Sequence, residues 1–230
     1  MGKRMAKKIV ITLFFLIALI ILFTDYGKEI EKVLFSKEAI VEKKIEPLPS
    51  ASENTQSAEI EAYYPLKQIK IRHYTSIHST RGKAVFILTT LPKRELNGKT
   101  VTPLKMDHVT EHGVSNLYTI FVVSGSEGTY YLAIQAAKAK EPKIYPPIYY
   151  FKKPIKVGNE WKSGPTTGII ESVDDDVSVP AGTFHHCLRV KTTYPNQTKT
   201  EWFAPEVGSV KFIFNLSDSS YSTTELEKYE

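Results

Sequence analysis

The apolar positions of the chain follow two patterns, one continuous and one alternating. Ile9 to Phe23 form an unbroken run of 15 residues in which only Thr12 is polar. In a helix this run is roughly 22 Å long, and continuation through Tyr26 brings it near the thickness of a hydrocarbon core. The continuous pattern therefore predicts either a transmembrane helix or the apolar part of a signal peptide.

The residues around the run favour the uncleaved anchor. A cleaved signal peptide ends in small residues, whereas this run ends Ile21-Leu22-Phe23 with no Ala-x-Ala-like site. The single cysteine, Cys187, lies far from the run, so the run is not a lipoprotein signal. Four basic residues and no acid precede the run: Lys3, Arg4, Lys7 and Lys8. The positive-inside rule then places the N-terminus in the cytoplasm and the rest of the chain outside the cell membrane, as a single-pass protein.

Between the anchor and the alternating pattern lie residues 24–59. The first part of this stretch has apolar residues at loosely helical spacing among Glu and Lys, and Pro47 and Pro49 end it. The residues that follow, up to Glu59, have almost nothing to bury. We therefore predict three parts: a basic tail and anchor over 1–23, a charged helix and flexible linker over 24–59, and a folded domain over 60–230.

Several strand-length runs of the folded domain alternate with a period of two, as in Val210, Phe212 and Phe214 set against their neighbours. Such runs are rich in β-branched and aromatic residues and are separated by Gly, Pro and Asn turn signals. The predicted strands are Lys83–Leu91, Asn116–Val123, Thr129–Gln135, Phe184–Tyr194 and Ser209–Leu216. The second and third of them predict a hairpin. The fold class that follows is mainly β, a curved antiparallel sheet or half-barrel preceded by a transmembrane helix.

Composition narrows the class of protein further. The chain has 230 residues, 42% of them hydrophobic and 24% charged, and a net charge of +5. These values are typical neither of a disordered protein nor of one that crosses the membrane many times. The first eight residues carry four positive charges and no negative one, so the charge orients the anchor and gives no reason to expect nucleic-acid binding.

One string resembles a catalytic motif. His108-Val109-Thr110-Glu111-His112 matches the His-x-x-Glu-His pattern of inverted zinc peptidases, which needs a helix that places both histidines on one face. Pro103 and Gly113 enclose only nine residues, too few for a packed helix. We therefore expect a strand and a turn here.

Two further strings contain residue types that bind metals. In His185-His186-Cys187, strand alternation predicts that His185 and Cys187 share a face while His186 does not, and we expect Cys187 to be a buried strand residue. Asp174-Asp175-Asp176 lacks the alternating ligands of a calcium loop, and we expect a solvated turn. We assign no catalytic, metal or cofactor-binding residues and expect no enzymatic activity.

Four motifs, in order along residues 60–225, resemble the bacterial TapB-like family of secreted and lipoprotein domains. They are YPLK at 64–67, PIKVGNEW at 154–161, VPAGTFHHCLRV at 179–190 and EWFAPEVGSVK at 201–211. The resemblance implies a curved, mostly antiparallel sheet, distantly similar to lipoprotein-carrier half-barrels, with no established function and no catalytic residues. The chain departs from the family where Gln68-Ile69-Lys70 replaces a Val-Gly-Asn turn, and in having an anchor where many relatives have a lipobox.

Three functions remain open. The leading hypothesis is a non-enzymatic interaction or structural module outside the membrane, with a protein or lipid partner. The second is a binding module for a lipid or another hydrophobic ligand, motivated by the supply of aromatic residues: Tyr145, Tyr149, Tyr150, Phe151, Trp161, Trp202 and Phe203. The third is a hydrolase that uses His108, Glu111 and His112.

Overall fold

The computed structural model describes residues 60–66, 69–216 and 219–230. All of them belong to one compact unit, Pro49–Glu230. The predicted anchor and linker lie outside the described residues. Within the described ranges, no helix is long and apolar enough to cross a bilayer.

Residues 60–63 form one helical turn, and thirteen strands follow it in the described part of the chain. The strands are β1 (Ile71–His78), β2 (Gly82–Thr90), β3 (Arg94–Leu96), β4 (Lys99–Thr110), β5 (Gly113–Gly125), β6 (Gly128–Ala136), β7 (Lys143–Lys152), β8 (Glu160–Ser163), β9 (Thr166–Val179), β10 (Gly182–Tyr194), β11 (Gln197–Ala204), β12 (Gly208–Leu216) and β13 (Tyr221–Tyr229).

The strands form one sheet in the order β7-β6-β5-β4-β2-β1-β13-β12-β11-β10-β9-β8, and β3 pairs with β4 beside this path. Every pairing is antiparallel. The prediction of a mainly β, curved antiparallel sheet is confirmed. All five predicted strands are present as β2, β5, β6, β10 and β12, and the predicted hairpin is β5–β6, with Val123 opposite Tyr130.

The sheet curls until its two end strands meet. Ser163 of β8 donates a hydrogen bond to the carbonyl oxygen of Pro147 in β7. Next to it, Asn159 donates to the carbonyl oxygens of Lys152 and Pro154 at 2.7 and 2.9 Å. Side chains therefore join the ends of the sheet, and the result is a nearly closed barrel with an interior.

Three apolar clusters stabilise the barrel. The largest lines the interior and consists of Ile60, Tyr64, Leu104, Val122, Phe151, Trp161, Ile170, Leu188, Val190 and Phe203. The second packs the end of the β9–β10 hairpin against β1, β12 and β13, and it contains Cys187 and Leu226. In the third, Leu96 of β3 packs against β4, β5 and β6 beside Phe121. The first cluster positions the candidate site.

Gly168 in β9 is required by the packing of Trp161 from β8, which lies directly opposite it. A Cβ at Gly168 would overlap the indole ring, and Trp161 is itself buried. We expect Gly168→Ala to lower the free energy of unfolding by about 1–3 kcal/mol, because the ring must leave its place in the core. Urea denaturation of the Pro49–Glu230 unit measures this. Gly125→Ala is the matched control, since a Cβ there meets nothing within 4 Å, and an equal loss in both variants would contradict the packing argument.

Candidate functional site

Residues 60–66 fill one end of the barrel interior. The helical turn closes with a 3.2 Å hydrogen bond from the Tyr64 amide to the Ile60 carbonyl, and Pro65 then ends it because proline disfavours a helical conformation in the preceding residue. The amide of Glu206 donates to the Ala62 carbonyl at 2.6 Å and ties the segment to the β11–β12 turn. Ile60 is only 1% exposed. A segment of the chain itself therefore occupies the space that the curved sheet encloses.

Tyr64 is the centre of an aromatic cluster in this interior. Its ring stacks on Tyr150 with centroids 5.2 Å apart and lies 6.0 Å from Phe203. Phe203 meets Phe151 edge-to-face at 5.1 Å. Tyr150 also contacts Tyr131 at 5.8 Å. The cluster thus joins the segment 60–66 to β6, β7 and β11 across the barrel.

A buried charged pair borders this cluster. Lys199 Nζ lies 2.5 Å from Glu201 Oε2, and the hydroxyl of Ser209 donates to Glu201 Oε1 at 2.7 Å. The two charged side chains are 13% and 9% exposed. The ammonium group also lies 4.8 Å from the ring centroid of Phe212 and 5.7 Å from those of Tyr150 and Phe214. Rings and a carboxylate together compensate the buried lysine charge.

The tyrosines beside this pair stay neutral. Burial, followed by the negative charge of Glu201, raises the pKa of Tyr64 far above its usual value. Burial also raises the pKa of Tyr74 to about 12, although the nearby Arg72 opposes the shift. Tyr74 donates its hydroxyl proton to the Ser209 carbonyl at 2.8 Å, and Arg72 Nε donates to the Val207 carbonyl at 3.1 Å. Both tyrosine hydroxyls are therefore poor acids at neutral pH.

A small cavity of the interior lies between the segment 60–66, β1, β2 and β12. It has a volume of about 10 Å³, which is room for one water molecule, and its walls are Tyr64, Arg72, Tyr74, Leu88, Gly208 and Ser209. This part of the interior is closely packed. Lys199, Glu201 and Arg72 were not predicted as site residues, and the signal that the sequence offers for Lys199 and Glu201 is their period-two spacing within β11.

The structure separates the residues of the His-x-x-Glu-His string. His108 lies in β4, which ends at Thr110, while Glu111 and His112 form the turn before β5. Glu111 and His112 are 86% and 87% exposed, whereas His108 packs on the ring of Phe86 with centroids 5.4 Å apart. The expected strand and turn are confirmed. The helical arrangement that the zinc motif requires is not formed by this segment.

Burial lowers the pKa of His108. Its unfolded-state pKa is about 6.5, so at lower pH the unfolded chain binds the additional proton more readily than the folded one. The contribution of His108 to stability is complete above about pH 6.5 and is lost as the pH falls through the folded-state pKa. In urea denaturation, we expect the free energy of unfolding to fall less between pH 7.5 and 5.5 for His108→Phe than for the native chain. His112→Gln is the exposed control, and an unchanged slope in His108→Phe would contradict this prediction.

The predicted sharing of a face by His185 and Cys187 is wrong. Phe184 pairs with Val177 and Cys187 with Asp175, so two residues, His185 and His186, face a single residue of β9. This bulge, with a φ of 56° at His186, places Phe184 and Cys187 on one face and His185 on the other. Both histidines are exposed, and their Nδ1 atoms lie 2.8 Å from Asp176 and 2.5 Å from Asp174.

Cys187 is fully buried, as expected, and burial raises its pKa to about 12. Its thiol donates a weak hydrogen bond to the Phe184 carbonyl at 3.6 Å. The thiol is therefore a poor nucleophile at neutral pH. Among the described residues, no three His, Cys, Asp or Glu side chains lie close enough together to hold a metal ion.

The turn predicted for Asp174-Asp175-Asp176 is also wrong, because these residues lie inside β9. Strand structure is stabilised here by partners on neighbouring strands. Asp175 accepts a 2.8 Å hydrogen bond from the indole nitrogen of Trp202 and lies 3.0 Å from Arg189 Nη1. Asp174 and Asp176 pair with the two histidines of β10. The acidic string joins β9, β10 and β11.

Comparison with known proteins finds likenesses at the level of three-dimensional structure. No family model matches the chain, and no curated protein matches it. A predicted lipoprotein of Parabacteroides distasonis is 15% identical, covers 73% of this chain and 98% of its own, and has a TM-score of 0.45. A predicted exported protein with a YmcC-like fold from Bacteroides fragilis is 12% identical, with coverage of 71% and 96% and a TM-score of 0.44. LprF of Mycobacterium bovis is 10% identical, with coverage of 79% and 95% and a TM-score of 0.28. Membership of the TapB-like family stays a prediction from the motifs.

Proposed function

We propose that this protein is a non-enzymatic interaction module that its N-terminal segment anchors to the outer side of a bacterial membrane. One structural observation carries the proposal: the chain's own residues 60–66 occupy the barrel interior, where Ile60 is 1% and Tyr64 8% exposed. Because part of its own chain fills the interior of the barrel, the surface available to a partner is the outer one. The basic N-terminal stretch and the apolar run after it supply the expected orientation.

Cysteine labelling tests the anchoring and the orientation. The native Cys187 is buried, so a new cysteine can be labelled without a competing reaction. Ser126→Cys lies in the exposed β5–β6 turn, and Lys3→Cys lies before the apolar run. In intact cells that express the full chain, a membrane-impermeant maleimide should label Ser126→Cys at once and Lys3→Cys only after permeabilisation. The reverse order of labelling would refute the proposed orientation.

A second candidate function is the binding of a lipid or another hydrophobic ligand. The specific observation in its favour is a set of aromatic residues in the strands that are only partly buried: Phe86, Tyr118, Tyr131, Tyr150, Phe212 and Phe214. Phe212 and Phe214 lie beside each other on β12 with ring centroids 5.8 Å apart, and such partly buried rings could contact the apolar part of a ligand.

Lipid extraction separates the two candidates. The full chain is purified from membranes, and its extracted lipids are compared with those of an unrelated protein carrying the same residues 1–59. The interaction module predicts the same lipid composition for both. A lipid enriched only with the full chain, and lost in Phe214→Ala, would instead support the second candidate.

A further inference from the structure

One row of directly paired residues runs around most of the barrel wall. From β9 to β5, its members are Ser172, Arg189, Trp202, Lys211, Glu225, Thr75, Val85, Val109 and Val114. The row points outwards, because it alternates along the strands with residues such as Leu188 and Tyr74 that face the interior. It is mostly polar from β9 to β13, and it becomes apolar on β2, β4 and β5.

The apolar part of the row belongs to a larger patch. Ile77 follows two residues after the row on β1, and Ile87 does so on β2, so both side chains point outwards as well. The patch, which we call the apolar face, consists of Ile77, Val85, Ile87, Val109 and Val114. Ile77 is 56% and Val114 62% exposed, and the other three side chains are partly exposed. A contiguous apolar patch on the wall of a barrel indicates an interaction surface.

Two opposite charges lie beside the apolar face at the same height along the strands. Lys83 comes two residues before Val85 on β2, and Glu111 comes two residues after Val109, just past the end of β4. Because Val85 and Val109 are paired in antiparallel strands, both charges lie towards the same end of the barrel. Both are exposed, yet they do not pair with each other: Glu111 Oε1 lies 3.5 Å from His112 Nε2, and Lys83 has no ion-pair partner among the described residues.

The other charges of these strands preserve this asymmetry. Besides histidines, the charged residues of β1, β2, β4, β5 and of the turns 79–81 and 111–112 are Arg72, Arg81, Lys99, Lys105 and Asp107. Arg81 adds a positive charge on the β2 side, while Lys105 and Asp107 lie 2.9 Å apart and compensate each other. Arg72 is buried in the interior, and Lys99 lies at the opposite end of β4. The apolar face is therefore positive on its β2 side and negative on its β4 side, next to the two turns.

We infer that the apolar face joins two copies of this chain about a two-fold axis parallel to the seam between β2 and β4. Under this symmetry, β2 of each copy lies over β4 of the other, so Lys83 of each copy meets Glu111 of the other and the contact forms twice. Two sheets that pack face to face keep their strands nearly aligned, as this axis requires. The lysines of the β6–β7 turn lie three strands from the seam, where the curl of the sheet carries them away from the other copy. A second copy thus covers the apolar side chains and compensates both charges.

The direction of the axis agrees with the proposed anchoring, on which this step rests. An axis parallel to the strands keeps corresponding ends of the two barrels on the same side. Ala62, which is bonded to the β11–β12 turn, lies at the end opposite to the turns 79–81 and 111–112, because every pairing is antiparallel. Both copies therefore begin on the side that faces the same membrane. Anchoring also confines the copies to one surface, which raises their effective concentration and allows a small interface to form.

Crosslinking in membranes tests the arrangement on the full chain. Ile77→Cys and Val114→Cys are placed on separate chains with tags of different length, both chains are expressed in one cell, and a bis-maleimide is added. The axis brings position 77 of one copy towards position 114 of the other, whereas each position is about 14 Å, or three strand spacings, to the side of its own equivalent. We expect the mixed dimer to predominate over both symmetric dimers. The native Cys187 is fully buried and gives no background.

Charge reversal tests the role of the two ion pairs. Energy transfer between dyes at Ser126→Cys, measured against the protein-to-lipid ratio in vesicles, gives the association constant of the full chain. Lys83→Glu should lower this constant about 10-fold, because two attractive pairs become repulsive. Adding Glu111→Lys to the same chain should restore the native value, since the pairs form again with their signs exchanged. The matched control is Lys162→Glu on β8, which is also exposed and should change nothing.

Three outcomes would overturn the inference. They are equal yields of mixed and symmetric dimers, no recovery when Glu111→Lys is added to Lys83→Glu, and crosslinking of Val114→Cys to a different protein in place of a second copy. Flotation with vesicles tests the anchoring separately. A chain that floats but does not crosslink contradicts the dimer alone, whereas a chain that does not float contradicts the anchoring and leaves the crosslinks to decide on the dimer.

Discussion

Phe203→Ala is expected to lower the free energy of unfolding by about 3–5 kcal/mol, which is a large share of the stability of a domain of this size. Phe203 is 0% exposed and lies opposite Leu188, which is also fully buried. Its ring contacts both Phe151 of β7 and Tyr64 of the interior segment. Alanine would leave a cavity where three parts of the chain meet, and the curved sheet cannot collapse to fill it.

The measurement is urea denaturation of the Pro49–Glu230 unit, followed by circular dichroism. Tyr221→Ala is the control, because this aromatic residue is 51% exposed and its removal should cost less than about 1 kcal/mol. If Phe203→Ala and Tyr221→Ala cost the same, the interior is not the packed core that stabilises the barrel.

Lys199→Met is expected to have a comparable cost of about 3–5 kcal/mol. Methionine can keep the contacts with the rings of Tyr150, Phe212 and Phe214. However, Glu201 then remains a buried carboxylate whose described partner is the Ser209 hydroxyl alone. The loss therefore arises from an uncompensated charge and not from a cavity.

A double-mutant cycle checks this explanation. Glu201→Gln in the Lys199→Met background removes the remaining charge, and we expect stability to return to within about 1 kcal/mol of the native chain. If the losses of the two single variants simply add, the pair does not act as a unit. The same denaturation experiment gives all four values.

The strands that were predicted are runs of β-branched and aromatic residues, whereas two of those that were missed, β4 and β7, contain prolines, which normally end strands. Pro103 lies inside β4, at the point where pairing with β3 ends at Val101 and pairing with β2 begins at Leu104. The position at which Pro103 lacks an N–H group therefore lies between the β3–β4 and the β2–β4 hydrogen-bond ladders. Pro146 and Pro147 lie in β7 at an end of the sheet, within an irregular stretch of its ladder. Where a proline is tolerated depends on which strands are neighbours, and the sequence does not reveal this.

The buried pair of Lys199 and Glu201 could not be predicted from the sequence either, and the reason is physical. Alternation places Lys199 and Glu201 on one face of β11, yet the rings around Lys199 come from β7 and β12. Tyr150 is 49 residues away in the sequence and reaches Lys199 only because the two ends of the sheet curl together. Similarly, the bulge at His186 reverses the alternation on which the prediction for His185 depended. The local sequence pattern determines on which face of its strand a residue lies. The order of the strands in the sheet determines which of these faces come into contact.

The position of β13 has a consequence for how the domain is made. This last strand pairs with β1 on one side and β12 on the other, and the Glu230 amide and carbonyl exchange hydrogen bonds with Ile71 at 3.0 and 2.9 Å. Without β13 the sheet is divided into two halves, each with an open edge at its centre. Because β13 follows β1–β12 in the sequence, the two halves can join only after β13 has been synthesised. Such pairing between distant segments is slow, so the incomplete halves need protection from aggregation during synthesis.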